Sequence, residues 1–256
     1  MRLRCIGFCG IDDSVPISEL QRLSATYPCI EWGVLLRADR EGTPRYPSSS
    51  YIQSLKGMNL PLAAHFCGDY CLNVLNGNYE ALEWLVDIGF RRFQFNPTKA
   101  NNVSLKEELL PQYMESLLTA MALFPQIEFI IQANQETALL WKPLLANHHT
   151  PPNMSLLFDA SCGTGLPIET IPLSPKKGVR IGYAGGISAD NILHILNLIN
   201  SALEGTEEEI WIDMESSLRA RDSGTGKDVF SIEACRACVS LVMSSTQYLQ
   251  HNDSRV

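Results

Sequence analysis

Eight short apolar runs, separated by helix-patterned stretches, predict an α/β fold: a single (β/α)8 TIM barrel spanning residues 1–256. Two further observations agree. The chain is 256 residues long and 45% hydrophobic, enough to bury one core of barrel size. Polar residues also gather at the C-terminal ends of the apolar runs, the face on which such barrels place their sites. An open doubly wound sheet is the competing architecture, and it would need no eighth strand.

The expected strands cover 3–8, 30–36, 62–65, 92–95, 128–132, 155–158, 179–184 and 209–213. Each is a short run of aliphatic, aromatic or β-branched residues bounded by turn-forming ones. Between them, spacings of three and four between apolar positions predict helices near 17–26, 48–56, 78–88, 105–123, 135–146, 189–203 and 230–247. The connection 160–177 is rich in Gly and Pro and is expected to carry at most a helical turn. The polar, aperiodic tail 247–256 is expected to be loose.

Composition narrows the function. A formal charge of −8 argues against a nucleic-acid surface. No apolar run reaches membrane-spanning length, and the first residues lack a secretory pattern, so a soluble, cytoplasmic protein is expected. Eight cysteines lie largely within apolar segments and read as small core residues rather than a disulfide framework. Cys235 and Cys238 share the apolar face of the last helix. His65, Cys67 and Cys71 could hold a metal, but no second ligand pair has zinc-site spacing, so neither metal nor cofactor is expected. A homodimer is compatible with the sequence but nothing specifies it.

Read as strand ends, several positions converge on one mouth: Cys9, His65, Asn96, Gln132 with Asn134, Asp159, Gly185-Gly186 and Glu215-Ser216-Ser217. Such a ring of polar groups suits a small molecule. Gly185 and Gly186 end an apolar run, and Ser188 opens the helical pattern after them. Glycine allows close backbone approach and a helix start favours an anion, most often phosphate. No lysine ends a strand, which weakens a Schiff-base reaction.

Four places resemble the phosphoribosylanthranilate isomerase family of tryptophan biosynthesis, whose members are (β/α)8 barrels. They are Cys9-Gly10-Ile11; Thr43-Pro44-Arg45-Tyr46; Leu156-Leu157-Phe158-Asp159-Ala160 followed by Gly163-Thr164-Gly165; and Ala184 through Asn191, continued by Asp213 through Ser217 and Gly226-Lys227-Asp228. The resemblance implies an Amadori rearrangement, in which an aldose amine bearing a phosphate becomes its amino-ketose. Such a reaction needs an acid to open the sugar ring and a base to take the proton from the adjacent carbon. By resemblance Cys9 is the base and Asp159 the acid. Arg45 would steer a substrate carboxylate. Gly163, Gly165, Gly185, Gly186, Ser188, Ser216 and Ser217 would surround the phosphate. Asn96, Gln132 and His65, read from their strand ends rather than from the resemblance, are expected to bind the rest of the substrate.

The chain also departs from the family. Glu215-Ser216-Ser217 stands where the family has a Ser-Ser-Gly turn, and a carboxylate beside phosphate needs a cation such as Arg219. Asn96 occupies the place of a histidine, and His65 and Gln132 make the mouth more polar than a flat ring requires. A relative of the isomerase with an altered substrate is one expectation. A non-catalytic barrel binding a phosphorylated or acidic metabolite is the alternative, and a lyase or epimerase on a sugar phosphate is a third.

Overall fold

The computed structural model describes residues 1–146, 150–159 and 170–245. Eight parallel strands close into a barrel in sequence order: β1 (Arg2–Cys9), β2 (Ile30–Leu36), β3 (Leu62–Phe66), β4 (Arg92–Phe95), β5 (Glu128–Ala133), β6 (Met154–Asp159), β7 (Arg180–Ala184) and β8 (Glu209–Met214). Strand β8 pairs with β1, with Gly7 opposite Asp213, and this removes every open edge from the sheet. The barrel expected from the sequence is present and the open sheet is excluded.

Helices α1 (Ile17–Thr26), α2 (Ser49–Ser54), α3 (Gly68–Leu75), α4 (Glu80–Ile88), α5 (Leu110–Leu123), α6 (Ala138–Ala146), α7 (Ile192–Ala202) and α8 (Ile232–Ser244) surround it. Two features differ from the sequence expectation. Helix α3 begins directly after β3, because Gly68 takes a positive φ of 50° and turns the chain at once; Cys71, Val74 and Leu75 form its buried face. That places Cys71 in the outer layer rather than at the mouth. A hairpin of β9 (Arg219–Arg221) and β10 (Asp228–Phe230) also precedes α8, too short to register as periodicity. Of the 160–177 connection, 170–177 is described and carries no helix; 160–169 and the 247–256 tail lie outside the described residues. Among the described residues no helix is long and apolar enough to cross a membrane.

Strand alternation divides the core in two. Ile6, Phe8, Trp32, Val34, Phe66, Phe93, Phe95, Phe129 and Ile131 point outward and bury one continuous apolar layer under the helices. The inward residues are far more polar. At the N-terminal end Arg92 lies 2.5 Å from Glu31 Oε1 and 3.0 Å from Glu128 Oε2, with Arg4 and Arg180 also on Glu128. Above them Cys5, Ile130, Leu157 and Trp211 form an apolar floor. Arg92 lies against the Trp211 ring, 4.4 Å from its centroid. Trp211 fits there because its register partner is Gly182, where any Cβ would overlap the indole. The floor separates this ion cluster from the C-terminal mouth.

Candidate active site

The mouth holds a cavity of about 90 Å³ bordered by Cys9, His65, Asn96, Gln132, Asp159 and Asp213 among others. Cys9 and Asp159 end their strands, Asn96 follows its strand, and His65, Gln132 and Asp213 stand one residue before a strand end, which explains how a linear reading could find most of them. Cys9 Sγ lies 3.2 Å from His65 Nδ1. The two sit on β1 and β3, which do not pair; β2 runs between them. They meet over Gly33, the register partner of Cys9, where a Cβ would come 2.9 Å from Cys9 Cα and 3.1 Å from His65 Nε2. Asp213 joins from β8, with Oδ2 4.0 Å from the same Nδ1. A Cβ on Gly7 would overlap its other carboxylate oxygen. Two missing side chains therefore make room for Cys9, His65 and Asp213.

Neighbouring amides fix the imidazole. Gln94 Nε2 lies 3.2 Å from His65 Nδ1 and donates to Asn96 Oδ1 at 3.0 Å, while Asn96 Nδ2 donates to Cys67 Sγ at 3.7 Å. Nδ1 is thus the acceptor nitrogen of a neutral ring. Burial, together with Arg92, takes His65 down to about 3. Burial also pushes the Cys9 thiol well above its ordinary value, and Asp213 and Glu215 add to the shift while Arg45 opposes it. Burial raises Asp213 as well, with Glu31 and Glu215 reinforcing it and Arg92 opposing. A proton transfer from Cys9 to His65 would run steeply uphill, so the pair is thiol and imidazole, not thiolate and imidazolium.

Across the cavity Gln132 Nε2 donates to Asp159 Oδ2 at 2.8 Å, and Thr137 Oγ1 pins the Gln132 carbonyl at 2.6 Å. Gln132 Oε1 is buried without a hydrogen-bond partner among the described residues. At the β7–β8 edge Gly185 and Gly186 border the cavity with positive φ angles of 119° and 58°, alongside Ser216 and Ser217. Ser217 Oγ donates to the Ile187 carbonyl at 2.6 Å. Ser188 stands back from the cavity: its N–H donates to Asn191 Oδ1 at 2.8 Å, and α7 starts only at Ile192. Gly163 and Gly165 lie outside the described residues.

Arg45 adopts a positive φ of 77°, held by its N–H donating to Asp12 Oδ2 at 2.7 Å. Its guanidinium pairs with Glu215 at 2.7 Å, with Asp228 3.7 Å away. The cation that meets Glu215 is therefore Arg45. Arg219, the expected partner, pairs instead with Asp12 at 2.9 Å and Asp228 at 3.0 Å. Asp213 and Gln94 also line the cavity and were not singled out as candidates from the sequence; a strand-end acid in the last strand was the available signal for Asp213.

No protein-family model matches the chain, and no curated protein matches it. Among solved structures it is similar to N-(5'-phosphoribosyl)anthranilate isomerase from Pyrococcus furiosus, with 12% identity, 94% of this chain and 98% of that chain covered, and a TM-score of 0.51. It is also similar to a Rubisco-like protein from Rhodopseudomonas palustris, with 12% identity, 96% of this chain and 65% of that chain covered, and a TM-score of 0.49. At such identity the first likeness speaks for the fold alone.

Proposed function

We propose that this barrel catalyses an acid/base aldose-to-ketose rearrangement of a small phosphorylated sugar derivative, with Cys9 and Asp159 as the proton-transferring pair. The observation that carries the reading is their placement: Cys9 ends β1, Asp159 ends β6, and both border one cavity. Proton removal from a sugar carbon and proton delivery to its ring oxygen need two groups on opposite sides of the ligand. Gly185 and Gly186, free of side chains, would receive the phosphate at the β7–β8 edge. Gln132 holds the Asp159 carboxyl in place.

Cys9 works as a base only after losing its proton, and burial with two nearby carboxyls opposes that loss. Activity therefore rises with pH across the neutral range. The test is loss of anthranilate fluorescence when the protein meets freshly made phosphoribosylanthranilate. Turnover removed by both Cys9→Ala and Asp159→Asn, and growing with pH, supports the reading. Turnover equal to that of the Cys9→Ala control overturns it in favour of a barrel that binds an acidic metabolite without transforming it.

A further inference from the structure

We infer that Cys9, His65 and Asp213 form a site for a divalent transition metal of the zinc class, with its fourth position open to the cavity. The thiol sulfur, imidazole Nδ1 and a carboxylate oxygen all lie within 4.8 Å of one another. Ligand atoms bonded to zinc at about 2.0–2.3 Å are separated by about 3.3–3.8 Å around a tetrahedron, so a shift of under 1 Å brings the 3.2 Å and 4.0 Å separations here into that range.

Three features favour an ion over a chance grouping. The donor set is one sulfur, one imidazole nitrogen and one carboxylate, drawn from β1, β3 and β8, which are rigid elements of a closed sheet. A thiolate, a carboxylate and a neutral imidazole together balance a dication, so the loaded site carries no net charge in a buried place. The space between the three is kept by glycine on both flanks, at Gly7 and Gly33. The Gln94 amide, 3.2 Å from Nδ1, donates to the same lone pair that would hold the ion, so it turns away from Nδ1 when the ion binds. Three protein ligands with one position facing a cavity is the arrangement of zinc sites that act on a bound molecule.

Binding replaces the proton on Cys9 Sγ by the metal and releases that proton to solvent. A sulfur bonded to the ion is no longer a base, so metal and the proton transfer proposed above exclude one another at Cys9. Metal binding rests on the meeting of the three donors alone and does not need that reaction.

The test loads chelator-treated full-length protein with zinc chloride, measures zinc per chain after desalting, and records zinc-edge X-ray absorption. One zinc per chain with one sulfur at about 2.3 Å and the other neighbours nitrogen or oxygen is the expected result. Cobalt chloride should give a thiolate-to-metal charge-transfer band that Cys9→Ser abolishes and Cys67→Ala retains. Gln94→Leu, which leaves all three ligands and removes the amide that competes for Nδ1, should hold zinc at least as tightly as the unmodified chain. No retained zinc, a shell with no sulfur or with more than one, or a cobalt band that survives Cys9→Ser overturns the inference. Metal binding without turnover, or turnover without metal binding, separates its fate from that of the isomerase reading.

Discussion

Arg45 Nη1 lies 2.7 Å from Glu215 Oε1, so the guanidinium that sequence resemblance assigns to a substrate carboxylate already holds a carboxylate of the protein. An incoming anion must displace Glu215 or settle elsewhere along the mouth. Glu215→Gln removes the competing charge and leaves Asp228 3.7 Å away as the other acid near Arg45. Inorganic phosphate, followed by calorimetric titration, should then bind about threefold to tenfold more tightly. The pair is about one-third exposed on each side, so thermal stability should change by less than about 1 kcal/mol. Unchanged phosphate affinity would show that Arg45 does not reach the ligand.

Gly33→Ala places a Cβ 2.9 Å from Cys9 Cα and 3.0 Å from Cys9 Cβ, closer than such atoms approach. Backbone on one side cannot yield as a flexible side chain can, so the strands must shift. The expected cost is about 1–3 kcal/mol, visible in urea unfolding. Separation of Cys9 from His65 should lower turnover and metal affinity together. Gly224→Ala is the control, because a Cβ there meets only Asp222 Oδ1 at 3.6 Å. Equal stability of the two variants would contradict the role given to Gly33.

What the sequence made legible follows from how local each signal is. Strands β1 to β8 fall within a residue or two of expectation because each is a self-contained apolar run. That Cys9, Asn96 and Asp159 border one cavity was legible because a barrel collects its strand ends at one face. Their partnerships were not. Cys9 and His65 are 56 positions apart and meet only through the registers of β1, β2 and β3 and the missing side chain of Gly33. The Arg45–Glu215 pair needs a left-handed backbone at a non-glycine residue, which no propensity foretells. Helix α3 escaped notice because seven residues after a glycine give scarcely two turns of pattern.

The ion cluster under the floor predicts an asymmetry between partial and complete replacement. Arg92 is 4% exposed and serves both Glu31 and Glu128. Arg92→Met leaves Glu31 buried without a cation, while Glu128 keeps Arg4 and Arg180, and should cost about 3–5 kcal/mol. Replacing Glu31, Arg92 and Glu128 together by leucine, methionine and leucine should recover most of that loss, since no buried charge then lacks a partner. Urea unfolding of the single and triple variants reads the difference. A triple variant weaker than the single one would show that the cluster is worth more than its desolvation costs.

Glu128 also makes stability depend on acid. Burial alone would raise its carboxyl, but Arg92, Arg4, a hydrogen bond from Ser155 and Arg180 outweigh it and bring the group down to about 2 from an ordinary 4.5. A carboxyl depressed by folding stabilises the native state fully above its unfolded value, and that contribution disappears as pH falls towards the folded one. The window is therefore about pH 5 down to pH 2, and the amount at stake is about 3 kcal/mol at roughly 1.4 kcal/mol per tenfold change. His65 adds in the same direction, because a ring held neutral to about pH 3 favours the unfolded chain once the ordinary imidazole value near 6.5 is passed. Unfolding free energies measured at steps between pH 7 and pH 3 should fall continuously, and Glu128→Gln should flatten the lower part of that curve while starting from a less stable protein. A Glu128→Gln curve parallel to the unmodified one would mean that another carboxylate governs the acid limb.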